Sequence, residues 1–290
     1  MIRRRSTLSG GSLLDMVCPI NWQNDLSRGL VARWQCMPGL TGGSRLVNLT
    51  RAGDKDGNHG TLTNGPTWQG ANGRPGGHGS LRINGSDQSA HNTAAANLPT
   101  AAAAAWTISY WHYTVAYVSL SCDFGFGQEP SGTPSAGTIR FSLEFNNNYY
   151  FWGSSRDWDT LIAYVVGSWT HVAFVSDGAS STPGLTLYID GTSRATGSPS
   201  SALETAGAWA GFGSHHSAGA SPNAYYDCGM IHNRQLSASE VYALYEDDLR
   251  GSPETLNWIS TRTYFGVTAA AATRIGARNM SLPSLGRTVV

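Results

Sequence analysis

Charge is scarce in this chain of 290 residues: Lys and Arg together number 19, Asp and Glu 19, and the formal net charge is zero. No global field therefore draws the chain to nucleic acid or to an anionic membrane surface, and neither is expected as a partner. Lysine is nearly absent. Lys55 is the only one, so arginine carries the positive charge, a bias that genomic base composition explains. Cysteine is also sparse: Cys18, Cys36, Cys122 and Cys228 lie far apart with no CxxC pair, which argues against a zinc site. A domain this large needs no disulfides, so these thiols are expected to be mostly buried and free. No run of about 20 apolar residues is present to span a membrane. The start, Met1-Ile2-Arg3-Arg4-Arg5, has the charge of an export signal. The following Ser, Gly and Asp15 interrupt the roughly 7–15 apolar residues such a signal requires, so the expectation is a product that stays in the cytoplasm. Gly-x-Ser-x-Gly elbows, phosphate-binding loops and dinucleotide fingerprints are absent as well.

What the chain does have is 40% hydrophobic residues, 35 Gly, ten Trp, twelve Tyr and eight Phe. That composition suits many short strands joined by tight turns. Leu30–Trp34 reads as a first strand, and Asn-Gly and Gly-Pro steps punctuate the stretch from Asp54 to Trp68. Ser80–Asp87 is a short strand closing on Asn84-Gly85. Ala101–Ala105 reads as a linker before Trp106–Tyr113, which places Trp106, Ile108 and Tyr110 on one face and Thr107, Ser109, Trp111 and Tyr113 on the other. Ile139–Phe145 alternates throughout, and Asn146-Asn147-Asn148 turns it into Tyr149–Trp152 as a hairpin. Trp169–Val175 and Leu185–Ile189 are further strands. The second ends on Asp190-Gly191, a type I′ turn signal, and returns through Thr192–Ala195. A single helix is predicted: Ser237 and Glu240 form a capping box ahead of Val241, Leu244 and Tyr245 on one face.

The order predicts an all-β, two-sheet antiparallel jelly-roll sandwich with one short C-terminal helix and extended terminal arms. Residues 1–28 read as an N-terminal arm, 29–249 as the sandwich domain, and 250–290 as a mildly basic C-terminal extension carrying Arg262, Arg274, Arg278 and Arg287.

Several segments, in the right order, resemble the laminin-G-like, concanavalin A-like jelly-roll family. These are "GLVARW" at Gly29–Trp34, "HGTLTNGPTW" at His59–Trp68, "GSLRINGSD" at Gly79–Asp87, "WTISYW", "WTHVAFVSDG", "LTLYIDG", and "DCGMIHNRQLSASEVYALY" at Asp227–Tyr245. The resemblance spans roughly Arg28 to Leu249. It departs from the family pattern at Asn84, where Asp is common, and at Gln88, where a second acidic residue often stands. Members often bind calcium at a rim, which makes Asp87 a calcium candidate here. A hard cation wants six or more oxygen ligands, so one carboxylate is more simply read as bonding its own turn amides. No other metal and no cofactor is expected.

Some jelly rolls are glycoside hydrolases, which need paired carboxylates; retaining chemistry places them about 5–5.5 Å apart. Glu144 has no acidic neighbour at two-residue spacing on its strand. Asp157 and Asp159 have that spacing but read as part of a loop. His215 and His216 are adjacent, so on an extended chain they point oppositely and make no joint site. The residues thus predict binding or packing rather than catalysis. Two aromatic patches are candidates for stacking sugar rings: Trp111 and Tyr113 with Arg140, and Trp152 and Trp158 with Arg156. Inter-sheet or subunit packing is the competing reading of both.

Segments resembling phage and bacterial members, "INWQNDLSRGLVARW" and "HGTLTNGPTW", lead to a more specific expectation. The chain would be a non-enzymatic virion protein of a bacteriophage or phage-like particle, as a capsid decoration or tail-associated component. Arms without a core of their own gain order only against a neighbour. The expected partners are therefore other virion structural proteins, further copies of the chain, and surface glycans. The alternatives are a bacterial carbohydrate-binding module or, less in keeping with the residues, a polysaccharide hydrolase or lyase on the same fold.

Overall fold

The computed structural model describes residues 25–250, apart from 37–44, 51–57, 71, 76–78, 85–86, 130–136, 180–181, 200–202, 204–206 and 214–220. The arm at 1–24, the extension at 251–290, Cys18 and the His215-His216 pair lie outside the described residues.

Among the described residues sixteen strands precede one α-helix: β1 (Leu30–Trp34), β2 (Arg45–Leu46), β3 (Gly60–Thr63), β4 (Thr67–Gln69), β5 (Ser80–Ile83), β6 (Ser89–Asn92), β7 (Trp106–Ala116), β8 (Ser121–Gly127), β9 (Ile139–Phe145), β10 (Asn148–Trp152), β11 (Trp158–Ala163), β12 (Trp169–Ser176), β13 (Leu185–Ile189), β14 (Thr192–Gly197), β15 (Trp209–Phe212), β16 (Asn223–His232) and α1 (Ala238–Arg250). They form two antiparallel sheets. The first runs β14-β13-β12-β7-β16-β5-β4, with β1 also on β16; the second runs β11-β10-β9-β8-β15-β6-β3-β2. The expected sandwich is what forms.

Between the sheets lies the main core, with Trp34, Trp106, Ile108, Tyr110, Phe124, Phe126, Phe151 and Phe174 among its members. Period-two alternation puts Trp106, Ile108 and Tyr110 of β7 into this core. The opposite face of β7 carries Trp111, which belongs to a separate cluster with Ala173, Val175, Tyr188, Met230, Val241 and Leu244. Helix α1 therefore lies on the outer face of the first sheet. Its capping box is made as predicted: Ser237 N donates to Glu240 Oε2 at 2.8 Å, and Glu240 N to Ser237 Oγ at 3.3 Å. The Asp190-Gly191 turn has φ of 50° and 71°, the double positive value of a type I′ hairpin. A side chain at Gly191 would also meet Tyr242 Cδ2 at 3.0 Å, so the bare backbone lets the helix settle on the hairpin.

Polar residues are not confined to the surface. A register shift between Cys122 and Phe124 on β8 turns Asp123 into the sandwich, where it is fully buried. Its carboxylate accepts from Tyr226 (2.7 Å), Tyr164 (2.8 Å) and Tyr110 (3.2 Å). Tyr110 also meets Ser142 Oγ at 2.6 Å, and His112 reaches Tyr149 and Tyr164 at 3.2 Å each. Consequently β9 presents its polar side inward: Ser142 joins this network, and Arg140 lies 5.3 Å over the Phe126 ring. The apolar Ile139, Phe141 and Leu143 take the other face, with Trp152 and Trp209. Cys36, Cys122 and Cys228 are buried thiols outside any disulfide, as expected of them.

Candidate functional site

The outer face of the first sheet has a covered part and an open part. Under α1, Trp111 is 2% exposed and stacks on Tyr245 at 5.7 Å. Two residues along β7, beyond the helix, Tyr113 emerges half-buried. Strand register then builds a row across the sheet: Arg82 of β5 pairs with Tyr225 of β16, Tyr225 with Tyr113 of β7, and Tyr113 with Trp169 of β12. Neighbouring strands lie about 4.8 Å apart, so four positions span about 15 Å. The rings touch along the row. Tyr113 lies 5.9 Å from Tyr225 edge-on and 6.1 Å from Trp169, and the Arg82 guanidinium sits 4.6 Å above Tyr225.

The three aromatic members of the row line a shallow pocket of about 430 Å³ together with Asn72, Gly73 and Val115, and Arg82 lies beside it over Tyr225. Its volume is in the range of small-molecule sites, and aromatic walls with a few polar groups are their usual composition. Val115 is 44% exposed at the far side, so the pocket opens to water.

The rim is held by a buried ion pair. Arg74, next to Asn72 and Gly73, donates Nε to Asp227 Oδ2 at 2.9 Å and lies 5.4 Å over the Trp111 ring. Asp227 Oδ1 accepts from the Cys36 and Cys228 amides at 2.8 Å each, and Ser80 Oγ donates to Asn72 O at 2.7 Å. Each buried charge is thus paired and bonded, which is the condition for keeping it out of water.

Of the six residues expected to bind ligand, only Tyr113 lines this pocket. Trp111 is covered by α1. Arg140 does not join Trp111 and Tyr113, because it belongs to the second sheet, is fully buried and donates to the Leu203 carbonyl from Nη2. The second patch is not assembled either. Trp152 is 4% exposed in the cluster with Phe141, whereas Trp158 turns to the opposite side of the sheet, edge-on to Phe174 at 6.2 Å. Arg156 is half-buried in the bend between them. Trp158 and Asp159, expected in a loop, begin β11, and Asp159 Oδ1 accepts from Asn148 Nδ2 at 3.0 Å and Leu161 N at 2.9 Å. Trp169, Tyr225 and Arg82 were missed because only strand register brings them beside Tyr113. Trp169 and Arg82 lay on predicted strands, where alternation was the available signal, whereas Tyr225 lay on none.

Asp87 has φ of 59°, and its carbonyl accepts from Asn64 Nδ2 at 2.9 Å, a turn residue's role. Among the described residues no group of three or more His, Cys, Asp or Glu is placed to hold a metal ion.

Glu144, alone along its strand, gains a carboxylate neighbour through the fold. Both it and Asp123 are fully buried. Burial first, and the Asp123 charge second, push Glu144 up to about 9, while burial pushes Asp123 up to about 6 against the pull of its three tyrosine donors. Paired carboxyls of unequal acidity are an acid–base pattern, but these sit between the sheets with no surface for a polysaccharide to reach them.

Comparison with known proteins places the geometry in context. A family model described as the concanavalin A-like lectin/glucanases superfamily matches residues 84–242. No curated protein matches the sequence. Among solved structures, the binding domain of botulinum neurotoxin DC in complex with SialylT superposes at a TM-score of 0.56 with 10% identity, covering 77% of this chain and 52% of that one. Trypanosoma rangeli sialidase in complex with 2,3-difluorosialic acid superposes at 0.52 with 17% identity, covering 77% and 34%. The chain therefore spans about half the length of the first and a third of the second. At these identities the likeness is one of fold. That fold occurs both in a binding domain and in an enzyme chain, so it does not decide activity.

Proposed function

This chain belongs to the concanavalin A-like lectin/glucanases superfamily, and on that premise we propose that it binds glycans through the row Trp169–Tyr113–Tyr225–Arg82 and is not an enzyme. The observation that carries the reading is the row itself: three half-exposed aromatic rings, Tyr225 capped by Arg82, on a face whose other half is sealed by α1. Flat, rigid rings offer sugar faces a large contact area at little entropic cost. The carboxyl pair best placed for acid–base chemistry is shut inside the sandwich, which favours adhesion over hydrolysis.

A glycan array on the full chain tests this. Trp169→Ala and Tyr113→Ala are expected each to weaken every positive signal by roughly tenfold or more, about 1.4 kcal/mol. Trp152→Phe, on the other sheet, serves as the comparison and is expected to leave the array unchanged. Array signals that survive both pocket substitutions would exclude the row as the site.

The setting we assign is the surface of a bacteriophage or phage-like particle, with the arms as anchors to neighbouring virion proteins. The support is the resemblance of Ile20–Trp34 and His59–Trp68 to phage and bacterial segments. Mass spectrometry of purified particles is expected to find the protein; its confinement to the unassembled cell fraction would refute the assignment.

A further inference from the structure

Arg82 is a cation without a carboxylate. Among the described residues it forms no ion pair, and its protein acceptors are all neutral: Nη1 donates to the carbonyls of Ile83 (2.8 Å) and Ala224 (3.0 Å), and Nη2 to Asn223 Oδ1. A guanidinium has five N–H donors. These bonds leave Nε–H and one Nη2 hydrogen, near which the Tyr225 hydroxyl is a further neutral partner. Nε and Nη2 form one edge of the planar group, the edge that takes both oxygens of a carboxylate side-on. Arg82 is half-buried, so part of its guanidinium meets solvent. Three other arginines are committed: Arg74 to Asp227, Arg234 to Glu240, and Arg140 to the interior.

The surroundings fit an anion. No Asp or Glu lines the pocket, and the Asp227 charge beside it is matched by Arg74. The guanidinium covers the Tyr225 ring and so leaves Tyr113 and Trp169 as the stacking surface. Tyr113 lies two strands from Arg82, about 10 Å between backbones, a distance the arginine side chain shortens.

Resting on the glycan-binding reading above, we infer that the ligand is an acidic glycan, with one sugar ring on Tyr113 and Trp169 and a carboxylate on the half-exposed guanidinium of Arg82. The carboxylated unit then sits at the Arg82 end of the row and neutral units extend toward Trp169.

Calorimetric titration of the full chain with matched probes tests the assignment: 3′-sialyllactose against lactose, and tri-galacturonate against its methyl ester. At least one acidic probe is expected to bind roughly tenfold or more tighter than its neutral counterpart, with the preference shrinking as salt rises. In Arg82→Gln the acidic-to-neutral ratio is expected to fall to about one. Arg82→Lys, which keeps the charge and loses the fork, should retain only part of the preference. Melting curves confirm that each variant is folded before titration. Neutral probes binding as well as acidic ones would overturn the acidic ligand and leave the glycan site standing, as would a preference that Arg82→Gln does not change. Binding of none of the four probes, with a blank array, would overturn both readings.

Discussion

Asp123→Ala is expected to destabilise the domain by about 3–5 kcal/mol, the cost of leaving buried polar groups without their charged partner. Tyr110, Tyr164 and Tyr226 all donate to this one carboxylate. Tyr110 would keep Ser142, and Tyr164 would keep His112 at 3.2 Å. The Tyr226 hydroxyl has no second acceptor among its hydrogen bonds and would be stranded in the core beside Phe212, 5.3 Å away. Against a total stability of about 5–15 kcal/mol for a domain, such a loss is large. Asp123→Asn keeps the volume and an acceptor oxygen, so it should cost about 1–2 kcal/mol. Urea denaturation of the two variants beside the parent measures both values. A penalty below 1 kcal/mol for the alanine variant would mean that water replaces the carboxylate and that the network does not order the core.

The second large effect is on the pH dependence of stability, and it separates two buried sets of groups. Glu144, pushed up to about 9, keeps in the folded state a proton that an unfolded glutamate releases near 4.5. The folded state binds more protons over that interval, so Glu144 makes stability fall as pH rises from about 4.5 to 9. Asp123, at about 6 against 3.8, acts in the same direction over a narrower window. His112 and His232 act oppositely. Burial lowers them to about 3 and about 4 from 6.5, so the unfolded state binds more protons and stability rises with pH up to 6.5. Between 4.5 and 6 the two carboxyls and the two histidines nearly cancel. Above 6.5 Glu144 is the member of this set still titrating. A stability maximum near pH 6 is therefore expected, with a decline toward pH 9 of at most about 1.4 kcal/mol per pH unit for one proton. Glu144→Gln, which mimics the protonated side chain, should flatten that decline and leave the acidic limb in place. Equilibrium unfolding from pH 4 to 9 checks it: the same slope in both proteins above pH 6.5 would remove Glu144 as its source.

The sequence revealed the features that depend on near neighbours. The capping box at Ser237 and Glu240, the positive-φ turn at Asp190-Gly191 and the two faces of Trp106–Tyr113 all follow from residues within a few positions of each other. Strand β8 was missed because Cys122-Asp123-Phe124-Gly125-Phe126-Gly127 mixes a charge and two glycines into its pattern, and a bulge breaks its alternation. Arg140 was grouped with Trp111 and Tyr113 as a sugar-binding patch, yet it is buried in the interior. The inward turn of Asp123 makes that arrangement favourable, by giving the interior a polar layer that Ser142 and Glu144 join. The site was legible only in part: Tyr113 could be assigned to an outward face, but its neighbours Trp169 and Tyr225 come from strands far away in sequence. Nothing in local composition states that those residues share one line across the sheet.

That line has a consequence for how such a surface changes over time. Its divisions are set by main-chain hydrogen bonding between strands, not by the reach or rotamer of any side chain. Substitution can alter what a bound polymer meets at each mark, whereas the interval between marks stays fixed while the strands remain paired. Divergence on this face can therefore rewrite chemical preference freely but leaves the pitch of the acceptable ligand constant.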